Sequence, residues 1–500
     1  MSLTSLDIFI LLAYLLGITL LGIRAGGTQQ SSRDYFLSAR AVPWWAVCAA
    51  IVATETSALT FISIPGLAYI SDWNFLQLAF GYIVGRIVVA TIFLPAYFDG
   101  KIVTAYEFLE QRFGARMRRT ASVVFMGTRT FADGVRLYTT AIPLALLFKG
   151  SPLMASVGPD VTYPVAIVLL TGLTLLYVFM GGVRAVIWTD VVQLCLYLFG
   201  AVASIIILFQ LIPEGTGILF TKELSDKLDI FNIGWDLSLS SFFSEPYTFI
   251  ASFLGGAFLS MASHGTDQII IQRVLATNDV AAGKKAMVWS GLIILVQFAL
   301  FLLVGTLLFA FYGNTTISSN EIFPLFILEH MPTGITGLII AGLLAAAMST
   351  LSGSISALSS TTVMDIVVPL SRRSWDDKKL LILSRRMSLL WAFILAGAAM
   401  IFIQTPRTVV ELALSIASYT YGGLLGTFLL GVFFPQVKET AAMAGFFAGI
   451  VVMTLVISFT SVAWTWYTLI GVIVTIAIGL IANGSRHSGK DGGHVSGSIT

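Results

Sequence analysis

The chain has 500 residues, 57% of them hydrophobic and only 11% charged, with a net charge of +2. Soluble domains average about 25% charged residues, so the composition excludes a water-facing globule, and the near-zero net charge gives no basis for nucleic-acid binding. What remains is a polytopic membrane protein. Its apolar runs are each near the ~20 residues that a bilayer-spanning helix needs, and they lack the period-two alternation of an outer-membrane barrel.

Thirteen spans are predicted. A lead helix covers about 5–24; it has no basic leading region and no small-residue cleavage site, and it reads as a retained helix rather than a signal peptide. Twelve core helices follow, at about 44–70, 75–98, 120–149, 162–181, 185–212, 246–276, 286–312, 334–369, 380–404, 408–434, 439–460 and 463–483. Residues 1–483 thus form a single transmembrane domain, and the Gly/Ser-rich stretch 484–500 reads as a disordered tail. Of the 28 Lys and Arg residues, 21 fall on one side of this arrangement. Four fall on the other (Lys149, Lys222, Lys227, Arg407), and Arg86, Arg129 and Arg136 lie within spans. The positive-inside rule therefore places the N-terminus outside and the C-terminus in the cytoplasm. Cys48 and Cys195 both fall in spans and offer no disulfide framework.

Polar residues in spans are costly and mark interiors or pathways. In core helix one, "ATETSALTFISIPG" carries Thr54, Glu55, Thr56, Ser57 and Thr60, then Pro65 and Gly66. This suits a broken helix whose freed carbonyls and hydroxyls meet an ion or solute; hydroxyls bonding back to their own helix is the plainer alternative. In core helix eight, Ser349, Ser352 and Ser356 follow one helical stripe, with Thr350 beside it. Small-residue packing accounts for the Gly and Ala positions there, but hydroxyls are hard oxygen donors suited to an alkali cation. In core helix three, Arg129, Asp133 and Arg136 share a face, as a structural ion-pair triad or as a carboxylate-binding site. In "GGVRAVIWTDVVQ", Asp190 is a cation ligand, a gate carboxylate, or half of a salt bridge. No P-loop, HExxH or GxSxG is present, and the four His residues are scattered. The residues predict a secondary transporter with oxygen-rich ion sites, not an enzyme.

Six stretches in order, "SRDYFLSAR" (32–40), "ATETSALTFISIPGLAYISDW" (53–73), "TAYEFLEQRFG" (104–114), "GGVRAVIWTDVVQ" (181–193), "GTDQIIIQR" (265–273) and "GLLAAAMSTLSGSISALSS" (342–360), resemble the sodium/solute symporter family of sodium-coupled sugar, proline, sialic acid and monocarboxylate carriers. The resemblance implies an all-α fold of leucine-transporter type. Inverted five-helix repeats would cover about 44–212 and 246–434, with trailing helices at about 439–483. Core helices one and six would be interrupted, the latter with no visible signal beyond Gly255 and Gly256. It implies a sodium site made of the carbonyls of Ala53, Thr56 and Ala346 and the hydroxyls of Ser349 and Thr350. A second sodium would use Asp190, Ser349, Ser352 and position 353; the last is Gly rather than a hydroxyl residue, so one sodium is expected. The matching solute-site candidates are Glu55, Ser57, Thr60, Gln77, Arg129 and Tyr419. The carboxylate-binding Arg of the sialic-acid relatives aligns with Ala132, a gap that Arg129 or Arg136 could fill from another turn. Glu55 would take sugar hydroxyls, neutralise an amine or pair with Arg129. The implied activity is sodium-coupled import of a sugar, sialic acid or organic acid across a bacterial inner membrane by alternating access. The rivals are a proton-coupled symporter, with Glu55 or Asp190 as carrier, and a solute sensor without net transport.

Overall fold

The computed structural model describes residues 4–38, 41–100, 102–149, 159–317, 319–371, 375–403 and 409–488. The described chain is helical, apart from one isolated bridge between Val42 and Thr277. The lead helix, Ser5–Gly26, starts at a reciprocal capping box between Thr4 and Asp7, which satisfies backbone donors a helix start leaves unpaired. A short helix, Ser32–Leu37, follows. Core helix one comes in two halves, Trp44–Glu55 and Ala58–Ile70. Core helix two runs from Leu76 to Asp99 through a π-helical turn at Val89–Phe93. Core helix three is Ala115–Lys149, and helices four and five form the stretch Pro159–Leu211, folded at Gly182 (φ 58°, ψ −157°). Core helix six again has two parts, Phe249–Gly265 and Gln268–Val274. Helices seven to twelve are Val280–Tyr312, Ile335–Thr361, Asp377–Ile401, Val409–Phe433, Glu439–Phe459 and Tyr467–Ser488. The last of these runs past the predicted start of the tail, whose residues 489–500 lie outside the described ones.

By length and composition, nine of the described helices can cross a membrane, or ten with the bent pair in core helix one. The count falls short of thirteen for physical reasons. The unbroken part of core helix six is only 17 residues long, core helix three carries its charged triad, and helices four and five run on as one stretch across the bend at Gly182.

The burial pattern is that of a protein in hydrocarbon. Phe9, Leu12 and Leu16 of the lead helix are exposed, whereas every residue of core helix eight from Ile339 to Thr361 is buried. Its Ala, Gly and Ser side chains let neighbouring backbones approach closely. The lead helix packs in the same way: a Cβ on Gly26 would lie 2.2 Å from the Cα of Gly181. Asp7 Oδ1 accepts from the backbone N–H groups of Gly334 (2.8 Å) and Gly337 (2.9 Å) at the start of core helix eight.

Two expectations about helix breaks are corrected. Core helix one breaks at Thr56–Ser57, both extended, and then continues through Pro65. Pro65 and Gly66 serve packing instead, with Gly305 against the Pro65 carbonyl and Gly66 against that of Ser319. Core helix six breaks at Thr266–Asp267, not at Gly255–Gly256; those two glycines accommodate the carbonyls of Thr465 and Leu78 within an unbroken helix.

A candidate ion and solute site between two broken helices

The halves of core helix one meet at 61°. Because Thr56 and Ser57 are extended, the last carbonyls of the first half have no helical donors ahead of them, as at any helix end. Core helix eight packs against both halves. Ser57 and Thr350 line one water-sized pocket together with Ala347 and Arg136. Ala53, Thr56, Ala346 and Ser349 are completely buried. Gln297 Nε2 donates to Thr56 Oγ1 (2.5 Å) and Thr350 Oγ1 donates to the Ala346 carbonyl (3.2 Å). Ser349 Oγ faces Asp190 but makes no hydrogen bond of good geometry. A buried hydroxyl without a partner is costly, and a bound cation would relieve that cost. Among the described residues no group of three or more His, Cys, Asp or Glu converges. The donors here are neutral oxygens, which suit a hard monovalent cation.

Beside this cluster lies a cavity of about 300 Å³. It runs from the two breaks, at Glu55 and His264, to the end of the bundle where Ile70, Phe75, Tyr247 and Trp464 stand. The other end is sealed. Arg118 donates to Asp365 (2.7 Å) and pairs with Glu110, while Arg112 donates to the carbonyls of Gly431 and Phe434 (3.0 and 2.8 Å). Above this seal Phe108 stacks on Phe428, with Tyr97 edge-on to both. The Tyr97 hydroxyl donates to the carbonyl of Gly265, where the first half of core helix six ends.

Of the six solute-site candidates, Glu55, Ser57, Thr60 and Arg129 line the cavity. Glu55 pairs with Arg86 of core helix two, not with Arg129, and its Oε2 lies 3.7 Å from His264 Nε2. Arg86 is fully buried and also donates to Ser290 (2.7 Å). Arg129 is on the wall but its donors are taken: Nε and Nη2 by Asp267, Nη2 also by the Tyr421 hydroxyl (2.9 Å), and Nη1 by Asp133 (3.3 Å). It has no bidentate face left for a solute. Gln77 is buried away from the lining, with its amide nitrogen donating to the carbonyls of Asn74 and Tyr247 (both 3.0 Å). Tyr419 points elsewhere, its hydroxyl 2.6 Å from that of Thr454 in core helix eleven; Tyr421, two residues on, is the tyrosine on the wall. Arg136 is different from Arg129. It lines the cavity, its Nε has no partner, and its nearest carboxylate contact is Asp133 at 3.6 Å.

Asp190 takes the salt-bridge option. Arg273 Nη2 and Nε both donate to its Oδ2, at 3.0 and 3.2 Å. Arg273, counted by sequence among the cytoplasmic charges, is 1% exposed. Ser352 Oγ donates to the carbonyl of Ser349 (2.9 Å) rather than facing Asp190. Sequence reasoning missed Asp267, His264 and Arg86. Asp267 had a readable signal, since it is a helix N-cap in mid-span: its carboxylate accepts from the N–H of Ile269 (2.9 Å) and so opens the second half of core helix six.

A helical bundle with two broken helices, beside oxygen donors and a cavity lined by both charged and apolar side chains, is the architecture of an ion-coupled secondary transporter. Comparison with known proteins agrees. The sodium:solute symporter family matches residues 35–449, and the chain belongs to that family. It is 29% identical over 489 residues to the sodium/sialic acid symporter NanT of Aliivibrio fischeri, covering 96% of this chain and 93% of that one. It is 28% identical to the sodium/sialic acid symporter SiaT of Proteus mirabilis, covering 94% and 93%. Among solved structures, a Na+-coupled sialic acid symporter in a substrate-bound outward-open state superposes with a TM-score of 0.85 at 27% identity, covering 96% of this chain and 98% of that one. The nucleobase-cation-symport-1 transporter Mhp1 shares the fold alone, with a TM-score of 0.58 at 13% identity. The chain is therefore a sodium-coupled symporter of a small organic solute and not an enzyme.

Proposed function

We propose that the solute is a small hydroxylated organic anion of the sialic-acid or sugar-acid kind, imported with sodium by alternating access. Arg136 carries this reading: it is the guanidinium on the cavity wall with an unpartnered Nε and only a long carboxylate contact. Arg–carboxylate recognition is bidentate and charge-assisted. Ser57, Thr60 and Ser63 bring hydroxyls to the same cavity, suited to polyol groups, and the two sialic acid symporters among the relatives fit this class.

Sodium binds the carbonyls of Ala53, Thr56 and Ala346 and the hydroxyls of Ser349 and Thr350, holding core helix one against core helix eight. Thr350 and Ser57 sit next to both the ion and the cavity, so each ligand strengthens the other's binding, a coupling that is reciprocal by linkage. The thirteen-span arrangement, with the N-terminus outside and the C-terminus in the cytoplasm, makes the open end of the cavity the outer one. This is the outward-facing half of the cycle.

The experiment is uptake of radiolabelled sialic acid, a hexuronic acid and lactate into proteoliposomes under an inward sodium gradient at constant pH. Sodium-driven accumulation of one of the first two, lost in Arg136→Gln while sodium binding persists, is expected. Accumulation that follows a proton gradient instead would favour the proton-coupled rival, and solute binding without counterflow would favour a sensor.

A further inference from the structure

We propose that Gln297 and Tyr197 are positioning residues for sodium: they hold the Thr56 carbonyl at its place opposite core helix eight without touching ion or solute. The proposal rests on the sodium site read above and adds what sets its dimensions. That site is split between two helices, with Ala53 and Thr56 at the break in core helix one and Ala346, Ser349 and Thr350 on core helix eight. Thr56 is extended (φ −84°, ψ 96°) and lies outside both halves of its helix, so helical geometry does not fix the direction of its carbonyl. Its side chain is fixed instead. Thr56 Oγ1 accepts from Gln297 Nε2 of core helix seven (2.5 Å), and Gln297 Oε1 accepts from the Tyr197 hydroxyl of core helix five (3.1 Å). That hydroxyl also faces Thr56. All three residues are at most 1% exposed, so bulk water does not compete for these bonds.

The same two helices hold the other side of the break. One turn beyond Gln297, Phe301 stacks on the Tyr197 ring (6.3 Å between centroids) and meets Phe61, in the second half of core helix one, edge-on (5.3 Å). Behind Tyr197, core helix five lies close against core helix eight: a Cβ on Gly342 would be 3.4 Å from the Tyr197 Cα. Gly342 stands one turn before Ala346. The contacts thus run from Thr56 through Gln297 and Tyr197 to the turn of core helix eight that precedes the Ala346 carbonyl, and they join the two halves of the oxygen set. With the chain of bonds removed, the extended residue is free to turn its carbonyl away. An ion held by neutral oxygens depends on their number and placement, so the loss falls on sodium affinity.

The test is a sodium titration of the purified full-length chain by thermal unfolding, without solute, in Tyr197→Phe and in Thr56→Val/Tyr197→Phe/Gln297→Leu. The triple variant exchanges the whole polar chain for apolar groups and leaves no member buried alone, so its melting temperature without sodium should stay near the wild type. Half-saturating sodium is expected to rise by about three- to tenfold in both variants. Half-saturation by solute, measured in proteoliposome uptake at saturating sodium, should stay at the wild-type value. An unshifted sodium titration overturns the proposal, whether or not melting falls, and Tyr197→Phe decides if the triple variant does not fold. A changed half-saturation by solute at saturating sodium also overturns it, because the pair would then act on the solute. Failure of the underlying sodium site looks different: the wild type shows no sodium response, or Ser349→Ala and Thr350→Ala leave the titration unchanged as well.

Discussion

Replacing Ser349 with alanine separates binding from folding unusually cleanly. Its Oγ is completely buried and faces Asp190 without a hydrogen bond of good geometry, so little intramolecular bonding is lost with it. Truncation to alanine removes one small group from a helix whose neighbours are already Ala, Gly and Ser, and the expected change in stability is within about 0.5 kcal/mol. Sodium binding should respond very differently. A polar contact to a charged group is worth roughly 1.5–3 kcal/mol, and each 1.4 kcal/mol is about tenfold in affinity. The half-saturating sodium concentration should therefore rise by roughly 10- to 150-fold. Thermal unfolding in detergent across a sodium titration reads both quantities at once. The melting temperature without sodium should match the wild type, and the sodium-dependent rise should move to higher concentration. An unshifted titration curve with the fold intact would refute the assignment of Ser349 to the ion.

Four further outcomes are expected. Arg129→Gln leaves Asp267 and Asp133 buried against a neutral partner and should cost about 3–5 kcal/mol, with much of the loss recovered by adding Asp267→Asn; unfolding midpoints of the single and double variants check this. Gly182→Ala should fail to yield folded protein, because residue 182 has a φ of 58° and a Cβ there would lie 2.4 Å from the Tyr35 carbonyl; size-exclusion profiles of the expressed variant decide. Glu55→Gln should weaken solute uptake, since it disturbs the Arg86 pair on the cavity wall, yet leave sodium dependence in place, and sodium-titrated uptake separates the two effects. Tyr421→Phe removes a hydroxyl bonded to both Arg129 and Asp267 and should lower stability by about 1–3 kcal/mol, whereas Tyr419→Phe should change neither stability nor uptake; parallel melts and uptake compare them.

Much of the bundle was legible in the amino-acid order because apolar run length alone dictates membrane helices. The break in core helix one was legible in region though not in position. Five polar residues between Thr54 and Thr60 marked it, but Pro65 drew attention more than two turns too far, and that proline sits in the middle of the following half, where its carbonyl packs against Gly305. The break in core helix six is hidden because no glycine marks it; the residue present there is a cap, Asp267. Charge partners were illegible for a different reason. Glu55 with Arg86, Arg129 with Asp267 and Asp190 with Arg273 each join separate helices, and helical spacing speaks only about neighbours on one helix. It therefore identified Arg129–Asp133–Arg136 as a triad while missing that Asp267 takes most of Arg129. Arg273 was misplaced because counting charges by loop assumes that a basic residue near a helix end is wet.

The stacked rings of Phe108 and Phe428, with Tyr97 across them, set a condition on turnover. Aromatic side chains bury about 150–250 Å² each, so wetting one of them costs on the order of 4–6 kcal/mol at about 25 cal/mol per Å². This end cannot be unplugged at that cost unless an equal apolar area goes dry at the opposite mouth, where Ile70, Phe75, Tyr247 and Trp464 are available to close over the cavity. Each turnover would then exchange one dry stopper for another of similar worth. A state with both mouths wet lies several kcal/mol uphill, and that gap keeps the pathway from becoming a leak.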